Sequence, residues 1–480
     1  MDTRNAPEGQ AAKTATHDTP DTPKNLLDFM SQGWIDAPFK VATLANQEGF
    51  RRRRAALSNA YPDTYLIVPA GVEKVRANDT NFRFRASSDF AYLAGNGEFG
   101  ALLVMEPSHR GHRTIIFVPA HNRGKAEFFT DRVYGELWVG RHRGVDESQL
   151  YYGVDACRPM SEIGSYLEEI RRSGAQYRVV RGDDESVDSV LEETDGDKEF
   201  ATRIGEMRLF KDEFEITELR KCCEITKRGF EDVIAVLPHA KSEREIEAAF
   251  WSRARIEAND VGYLTIAAAG DHACTLHWTH NHGAVDKSGL LLLDAGVEAE
   301  SLYTADITRT MPIGGNYSPQ QRRVYEIVYR AQAAAFERCR AANDFLDPNR
   351  AAMRVLAEGL IDLGVLKASL EEALDPQNQY YRRYTLHNIS HMLGIDVHDC
   401  ARARSENYRY GKLQPGMAFT NEPGLYFQPD DSTVPQEFRG IGVRIEDDLV
   451  ITQDGYENLS GILPSEVNAV ERWMHEVWNR

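Results

Sequence analysis

The stretch GLLLLDAGVEAESLYTADITRT, residues 289–310, places two aspartates around a strongly apolar run. Leu290 to Leu293 form that run, which predicts a buried β-strand, and Asp294 follows it directly. A second aspartate, Asp306, comes twelve residues later. A carboxylate at the end of a buried strand loses its hydration, which is costly unless a cation or hydrogen-bond donors compensate it. The function of this region therefore depends on what compensates the two aspartates.

The polar segment EAES between the two aspartates predicts a turn and therefore a β-hairpin. In a hairpin symmetric about Glu300, Asp294 and Asp306 lie directly opposite one another. Two facing carboxylates repel each other in a low dielectric, and a shared cation would turn that repulsion into binding. A purely structural alternative pairs Asp306 with Arg309 and satisfies Asp294 with backbone donors.

Three of the chain's 14 histidines, His387, His391 and His398, lie within the segment HNISHMLGIDVH. His387 and His391 are four residues apart and would share one face of a helix. Further on, Glu422 lies between a β-rich run and the dipeptide Pro-Gly, a turn signal that leaves the carboxylate at a strand end. Ordinary core packing of the histidines is the alternative to a functional site.

The segment GIGVRIEDDLVIT, residues 440–452, predicts another strand. Arg444 and Glu446 are two residues apart, so a strand would direct both side chains to the same face. A plain ion pair is one interpretation of this pattern. The other is that this face, together with the strand-end acid Glu422, serves a metal ion.

One imidazole and four carboxylates form a donor set that suits a hard to borderline divalent ion. Manganese fits it first, followed by cobalt, iron or zinc. Four carboxylates would offset the charge of two such ions lying ~3.5–4 Å apart and sharing a bridging hydroxide. This donor set predicts a dinuclear centre that hydrolyses an amide or an ester bond.

The composition of the chain excludes several other classes of protein. Its 480 residues, 42% hydrophobic and 27% charged, predict a globular protein of two or three domains. A net charge of −18 argues against nucleic acid and membrane as partners, although an acidic surface also serves solubility alone. No apolar run approaches the ~20 residues of a membrane span, and the N-terminus has no signal-peptide core. Six cysteines without a C-x-x-C pair argue against a disulfide framework, so a cytoplasmic location is expected.

Three regions follow from the order of the predicted elements. Residues 1–26 are polar and predict a tail that is disordered or ordered by a partner subunit. Residues 27–202 alternate predicted strands and helices, which is typical of an α/β domain. Residues 203–480 predict an α+β domain with helices packed over an antiparallel sheet.

A resemblance to the Xaa-Pro aminopeptidases (aminopeptidase P) of the pita-bread metallopeptidase family is carried by four segments. They are LLLDAGVEAESLYTADITRTMPIGG, HNISHMLGIDVHD, NEPGLYF and RGIGVRIEDDLVIT, in that order. GEMRLFKDEFEITELRKCCEIT and NFRFRASSDFAYLAGNGEFGALLV resemble the family's inter-domain helix and N-terminal domain. The resemblance implies an α/β N-terminal domain and a pita-bread catalytic domain, with helices over a curved, mainly antiparallel sheet. The implied activity is release of an N-terminal residue that precedes proline.

The resemblance also implies a metal-binding role for five residues. Asp294 would hold one metal ion alone, while Asp306 and Glu446 would bridge two ions. His391 and Glu422 would complete the ligands of the second ion. Glu422 would also be the general base that takes a proton from the bridging water.

Five residues around the substrate are implied in the same way. His277, in the segment CTLHWTHN, would contact the substrate, and His387 would lie by the proline pocket. His398 would donate to the scissile carbonyl or to the tetrahedral intermediate. Arg444 would orient the carboxylates, and Tyr426 would be an aromatic residue next to the site.

The chain departs from the family pattern at two places. Its two aspartates are one residue further apart than is common, so a turn or a bulge must absorb the extra residue. Ala91 stands where bacterial members often carry a tryptophan that reaches the pocket across a subunit boundary. The oligomers that are usual in the family, together with the N-terminal tail, also imply that the chain forms a homo-oligomer, a dimer or a tetramer.

Other functions within the same fold stay open at this stage. An Xaa-Pro dipeptidase (prolidase) shares the metal-binding residues, and a methionine aminopeptidase shares the fold in a form without the extra N-terminal domain. A non-catalytic pita-bread module that binds a protein partner is the alternative from a different class. All five implied ligands are present, which favours an enzyme.

Overall fold

The chain divides into two units, Met1–Asp197 and Lys198–Arg480, in the computed structural model. The residues that the structure describes are 22–35, 40, 42–78 and 80–480. Most of the predicted tail, residues 1–26, therefore lies outside the described residues. The division falls within the helix Asp195–Met207. In the described ranges, no helix combines the length and the apolar character that a membrane span needs.

A five-stranded mixed sheet is the centre of the N-terminal unit. The strands of this unit are β1 Tyr65–Pro69, β2 Val75–Ala77, β3 Thr80–Asn81, β4 Leu102–Ser108, β5 Gly111–Val118, β6 Ala156–Pro159 and β7 Tyr177–Val179. Its helices are α1 Lys24–Met30, α2 Gln47–Ala60, α3 Ser88–Ala94, α4 Glu127–Thr130, α5 Glu136–Val139, α6 Val145–Tyr152, α7 Ile163–Ser173 and α8 Glu185–Val190. The sheet order is β6-β5-β4-β1-β7. Apolar residues of the strands, such as Ile67 and Phe117, form one buried cluster with Leu167 and Ile170 of α7.

Short antiparallel sheets and long helices form the C-terminal unit, which begins within α9 (Asp195–Met207). Its helices are α10 Glu213–Val236, α11 Glu243–Glu257, α12 Pro319–Phe336, α13 Asp347–Asp362, α14 Leu370–Leu374 and α15 Val467–Trp478. Its strands are β8 Asp260–Val261, β9 Ile266–Ala269, β10 Leu290–Ala295, β11 Val297–Glu298, β12 Ile307–Pro312, β13 Ala418–Asn421, β14 Gly424–Tyr426, β15 Gly442–Arg444, β16 Asp447–Ile451 and β17 Tyr456–Asn458. The 3₁₀ turns of the chain are Met160–Glu162, Gly270–Cys274, Tyr380–Arg383, Ser405–Asn407 and Gln436–Phe438.

The strand pairings of the C-terminal unit are antiparallel, as the sequence predicted. β10 lies between β9 and β12, and β16 lies between β13 and β17. β14 pairs with β15, and β11 pairs with β8. All six residues of β10 are buried, which explains its run of leucines. The α/β domain and the α+β domain of the predicted fold class are both confirmed.

The long helices of the C-terminal unit begin where their sequences provide caps. Asp212 and Glu215 form a capping box at the start of α10. Ser318 and Gln321 do the same at α12, which has proline at its first position. Each box satisfies backbone N–H groups that have no partner inside the helix. These caps fix the ends of helices that pack around the sheets.

The register of the central hairpin differs from the predicted one. Asp294 pairs with Thr308 across β10 and β12, not with Asp306. The hairpin is therefore centred one residue beyond Glu300, and Asp306 lies just before β12. Because side chains alternate between faces along a strand, Asp306 and Thr308 still share a face with Asp294. The prediction of directly facing aspartates was wrong, but the two carboxylates remain neighbours.

Candidate active site

A cavity of about 590 Å³ opens in the C-terminal unit beside the hairpin. The five predicted metal ligands and the three predicted substrate histidines line it, together with Arg444. These residues are Asp294, Asp306, His391, Glu422, Glu446, His277, His387, His398 and Arg444. The cavity thus brings together residues from segments that are more than 150 residues apart in the chain.

Strand ends supply the acidic side chains of the cavity. Asp294 lies at the end of β10, and Asp306 directly precedes β12. Glu422 follows β13, and Glu446 lies between β15 and β16. This placement agrees with the prediction for Asp294 and Glu422, whereas Asp306 and Glu446, which were predicted to lie within strands, lie just before β12 and between β15 and β16.

The segment that carries the three clustered histidines has an irregular backbone. Residues 385–400 contain no helix, so the prediction that His387 and His391 share a helical face was wrong. Backbone hydrogen bonds to the neighbouring strand hold the segment in place instead. Thr420 donates its N–H to the His391 carbonyl, and Glu422 donates its N–H to the Ile389 carbonyl. The histidines reach the cavity because this segment runs along β13.

A group of donor atoms suited to a divalent cation lies at the base of the cavity. Ligand atoms of Asp306, His391 and Glu446 all lie within 4.8 Å of one another. His391 Nε2 is 3.2 Å from Asp306 Oδ2 and 3.5 Å from Glu422 Oε1. One imidazole among carboxylates is the chemistry that manganese, cobalt and zinc accept. The residues present therefore fit a metal centre.

A buried arginine holds Asp294 in place. Arg444 Nη2 is 2.5 Å from Asp294 Oδ2, and its Nε donates to the Thr308 hydroxyl at 3.2 Å. Thr308 in turn donates to Glu446 Oε2 at 2.6 Å. Arg444 and Glu446 thus face the same cavity, as their spacing predicted, and Thr308 connects them.

The structural alternative for the two aspartates is not what the structure shows. Arg309 points away from Asp306 and forms a fully buried pair with Asp447, Nη2 to Oδ1 2.8 Å. It also donates to the backbone carbonyls of Leu463 and Pro464. Arg309 is thus part of the core and leaves Asp306 for the cavity.

Tyr263 is a residue of the site that the sequence analysis missed. Its hydroxyl is 2.6 Å from Asp294 Oδ1 and also contacts Asp306 Oδ1. One phenol therefore bridges the two carboxylates of the hairpin. Tyr263 lies between β8 and β9. The residues next to it form no pattern of charged or metal-ligating side chains, so no local signal distinguished it from a core tyrosine.

The electrostatics of the cavity favour a cation. Loss of hydration raises the pKa of Asp294 and of Glu446 above the usual range, and it raises the pKa of Glu422 to about 7. Burial opposes ionisation of Asp306 as well, but the hydrogen bond and charge of His391, together with the Tyr263 hydrogen bond and His398, outweigh it and lower the Asp306 pKa. The surrounding carboxylates outweigh burial at His391 and raise its pKa to about 9. Carboxylates crowded in this way bind a divalent ion readily.

Two consecutive hydrogen bonds connect Arg444 with His387 at the cavity wall. Arg444 Nη1 donates to the Tyr426 hydroxyl at 3.0 Å, and that hydroxyl lies 2.8 Å from His387 Nε2. His387 Nδ1 lies 2.9 Å from the Asn388 carbonyl, which makes Nδ1 the donor and Nε2 the acceptor. Burial and the charge of Arg444 lower the pKa of His387 to about 4, so the ring is neutral. His398 stands with its ring centroid 4.3 Å from that of His391.

Comparison with known proteins matches both units. Residues 217–453 match the model of metallopeptidase family M24, and residues 50–180 match that of the aminopeptidase P N-terminal domain. The C-terminal match contains every residue that lines the cavity. The N-terminal match contains the five-stranded sheet.

Curated relatives and solved structures agree with the family models. Xaa-Pro aminopeptidase 1 of Streptomyces coelicolor is 48% identical over 462 residues, which cover 95% of this chain and 93% of the relative. Xaa-Pro aminopeptidase of Escherichia coli is 34% identical and covers 90% of this chain and 98% of the relative. The structure of Escherichia coli aminopeptidase P with the inhibitor Pro-Leu superimposes with a TM-score of 0.81 at 30% identity, covering 91% of this chain and 100% of the other. The chain therefore belongs to the Xaa-Pro aminopeptidases of metallopeptidase family M24 and is a metalloaminopeptidase.

Proposed function

We propose that this enzyme hydrolyses the peptide bond between an N-terminal residue and a following proline, with Glu422 as the general base. The observation that carries the proposal is the convergence of five metal-ligating side chains and three histidines on one cavity. The cavity is large enough for the first residues of a peptide. The names of the relatives support proline as the second residue.

The metal centre in this proposal uses the ligands expected from the sequence. Asp294, Asp306, His391, Glu422 and Glu446 would hold two divalent ions, with manganese first and cobalt or zinc as alternatives. When bound, the ions supply Lewis acidity to the attacking water and to the scissile carbonyl. The placement of Asp306, His391 and Glu446 supports this assignment.

In this proposal Glu422 removes a proton from the attacking water. Its carboxylate lies 3.5 Å from His391 Nε2 and 3.6 Å from His387 Nδ1, at the wall of the cavity. A base in this position takes the proton as the water attacks the carbonyl carbon. It then returns the proton to the nitrogen of proline as the peptide bond breaks.

The remaining side chains of the cavity orient and stabilise the substrate. His398 donates to the carbonyl oxygen as negative charge develops on it, and His277 contacts the substrate at the rim. His387, held by Tyr426, forms the wall beside the proline ring. Arg444 fixes Asp294 and Tyr426 in one geometry, and through Tyr426 it also holds His387.

Location and assembly form a separate part of the proposal. We place the enzyme in the cytoplasm, and we propose that it acts as a homo-oligomer, a dimer or a tetramer. The polar N-terminal tail and the oligomers that are usual in the family support this assembly. The acidic net charge supports peptides rather than nucleic acid as substrates.

One experiment separates this function from its nearest alternative. The protein is stripped with a chelator, Mn²⁺ is restored, and cleavage of an Xaa-Pro-Xaa tripeptide is followed beside that of the Xaa-Pro dipeptide. We expect metal-dependent cleavage of the tripeptide at the bond before proline. Cleavage of the dipeptide alone would make the enzyme a prolidase. Inactivity on both peptides with manganese, cobalt and zinc would favour a non-catalytic binding module.

A further inference from the structure

The loop that follows β9 forms one wall of the cavity. It runs from Gly270 to Gly283 and contains Leu276, His277 and Thr279, all of which line the cavity. Leu276 also packs partly against the buried cluster that includes Tyr426. The position of this loop therefore decides where three cavity-lining side chains stand relative to the metal ligands, which come from other segments.

A fully buried glutamate outside the cavity holds this loop. Glu243, the first residue of α11, has a relative exposure of 0%. Its Oε1 accepts hydrogen bonds from Ala269 N and His272 Nδ1, both at 2.8 Å. Its Oε2 accepts hydrogen bonds from Trp278 Nε1 at 2.8 Å and from Gly283 N at 2.6 Å. One carboxylate thus binds the start, the middle and the end of the loop.

With these contacts, the Glu243 carboxylate stays ionised although it is buried. Burial opposes the charge of Glu243, but the four donors outweigh it and lower the pKa. Hydrogen bonds to a charged acceptor are about twice as strong as neutral ones. The carboxylate is therefore a strong anchor, and it satisfies two backbone N–H groups that the loop leaves without a strand partner.

Two other contacts stiffen the loop next to this anchor. The rings of His272 and Trp278 stack with centroids 3.9 Å apart. The buried Asn281 accepts from Ala267 N at 3.0 Å and donates to the Thr265 carbonyl at 2.8 Å, so its amide extends the β9 ladder. Trp278 and Asn281 thus point inward on either side of Thr279. This alternation leaves His277 and Thr279 facing the cavity.

We propose that Glu243 is a positioning residue for the substrate: it binds the loop 270–283 from behind and thereby places His277, Leu276 and Thr279 against the peptide. This inference rests on the proposed function, because it assigns those three residues to the substrate. Glu243 does not touch the cavity and does not hold the metal. It contributes to activity by holding the loop 270–283 in position.

The variant Glu243→Gln tests the proposal with little change of shape. A glutamine keeps one acceptor oxygen, but its NH₂ group cannot accept from Trp278 Nε1 or Gly283 N. We expect kcat/KM on an Xaa-Pro-Xaa tripeptide to fall about 10- to 100-fold, since a displacement of ~1 Å near a reacting group costs up to about 10²-fold. Most of the loss appears as a higher KM. Mn²⁺ affinity of the stripped protein, measured by calorimetry, changes less than about threefold, because the ligands lie on other segments.

The matched control is Glu245→Gln on the same turn of α11. Glu245 is exposed, and its carboxylate binds Ser242 and Lys241 rather than the loop. We expect it to behave as the wild type. A double variant of Glu243→Gln with His277→Ala provides the second readout. If Glu243 acts through the loop, the combined loss in kcat/KM is smaller than the product of the two single losses.

Hydrogen exchange of the loop amides gives a readout that does not need activity. We expect Glu243→Gln to speed exchange in residues 270–283, whereas Glu245→Gln leaves it unchanged. Unchanged exchange and kinetics in Glu243→Gln would overturn the proposal, and so would multiplicative losses in the double variant. If the wild type cleaves neither peptide, the proposed function fails. Faster exchange of residues 270–283 in Glu243→Gln would then show that Glu243 anchors the loop without a role in substrate binding, which also overturns the inference.

Discussion

Asp294 and Arg444 form a buried ion pair, with Oδ2 and Nη2 2.5 Å apart, although 150 residues separate them in the chain. The guanidinium binds Thr308 and Tyr426 with its other nitrogens. A single side chain thus fixes an expected metal ligand, a hairpin residue and the tyrosine that contacts His387 of the cavity wall.

Replacing Arg444 by lysine keeps the charge and removes the planar set of donors. An ammonium group on a longer flexible stem cannot bind Asp294, Thr308 and Tyr426 in the same geometry. We expect the Mn²⁺ affinity of the Arg444→Lys variant to fall about 10- to 100-fold, which is typical for residues that orient metal ligands. Calorimetric titration of the stripped protein measures this. Arg322→Lys, at the partly exposed pair with Glu471, is the control, and equal affinities in both variants would contradict the role of Arg444.

Removing the carboxylate of Glu422 should stop turnover while the fold stays intact. The loss of a general base costs about 10²- to 10⁴-fold, and Glu422 is also an expected metal ligand. We expect kcat of Glu422→Ala on the tripeptide to fall at least about 10²-fold, with an unchanged circular dichroism spectrum. Near-normal activity in this variant would rule out the assigned role.

The phenol of Tyr263 is expected to keep the two hairpin carboxylates at their spacing. Tyr263→Phe removes the hydroxyl that contacts Asp294 and Asp306 and leaves the ring. We expect a fall of about tenfold in Mn²⁺ affinity, measured by calorimetry, because the carboxylates lose a shared donor. Tyr410→Phe, at a side chain that is 68% exposed, is the control and should bind Mn²⁺ like the wild type. A normal affinity in Tyr263→Phe would show that the contact is not needed for metal binding.

A buried ion cluster beside the histidine segment is expected to stabilise the C-terminal unit. Asp399 binds Lys211 Nζ at 2.9 Å and also contacts the Arg208 guanidinium. Removing one partner of a buried pair costs about 3–5 kcal/mol, because the other charge stays buried. We expect Asp399→Asn to lower Tm by several degrees at pH 7 in thermal unfolding. Asp396→Asn, at a carboxylate that is 38% exposed on the same arginine, should lower it much less.

The same cluster predicts how stability changes with pH. Burial opposes ionisation of Asp399, but Arg208 and Lys211 outweigh it and hold the Asp399 pKa well below its usual range. A group with a lowered folded-state pKa stabilises the protein above its unfolded pKa of about 3.9, and this stability is lost as the pH falls further. The difference in Tm between wild type and Asp399→Asn should therefore be largest near pH 6–7 and shrink below about pH 4. A difference that grows on acidification would contradict this assignment.

The proposed assembly has a direct physical test. Light scattering at micromolar concentration should give the mass of a dimer or a tetramer of the 54.2 kDa chain. A monomer over the whole concentration range would refute the homo-oligomer. The measurement does not depend on metal or substrate, so it is independent of the catalytic predictions.

Asp294 and Glu422 could be predicted from the sequence because each lies at the end of a recognisable strand. A run such as Leu290 to Leu293 indicates burial, and a charge at its end then needs a partner. The pairing register could not be predicted in the same way, since it depends on the turn. Leu302 adopts a positive φ of 69° in that turn, a conformation that no local pattern predicts for a leucine.

The supporting residues were harder to predict because their roles depend on contacts that are distant in sequence. Tyr263 meets its carboxylate partners 31 and 43 residues further on. Glu243 at the start of α11 has the local pattern of any acidic first turn, which favours the helix dipole without a tertiary partner. The irregular backbone around His391 has no periodicity at all, so a four-residue spacing was misleading there. Local patterns specify strands and helices, whereas the tertiary fold specifies which side chains meet.

The six cysteines of the chain give the protein an experimental advantage. All are free and buried, and burial raises the pKa of every thiol above its usual range. The thiolate is the form of cysteine that attacks alkylating reagents, so the buried thiols of the native chain should react with them slowly. A single cysteine introduced on the surface of the loop 270–283 would then carry a fluorescent label selectively. The motion of that wall during a catalytic cycle becomes observable without first replacing the native thiols.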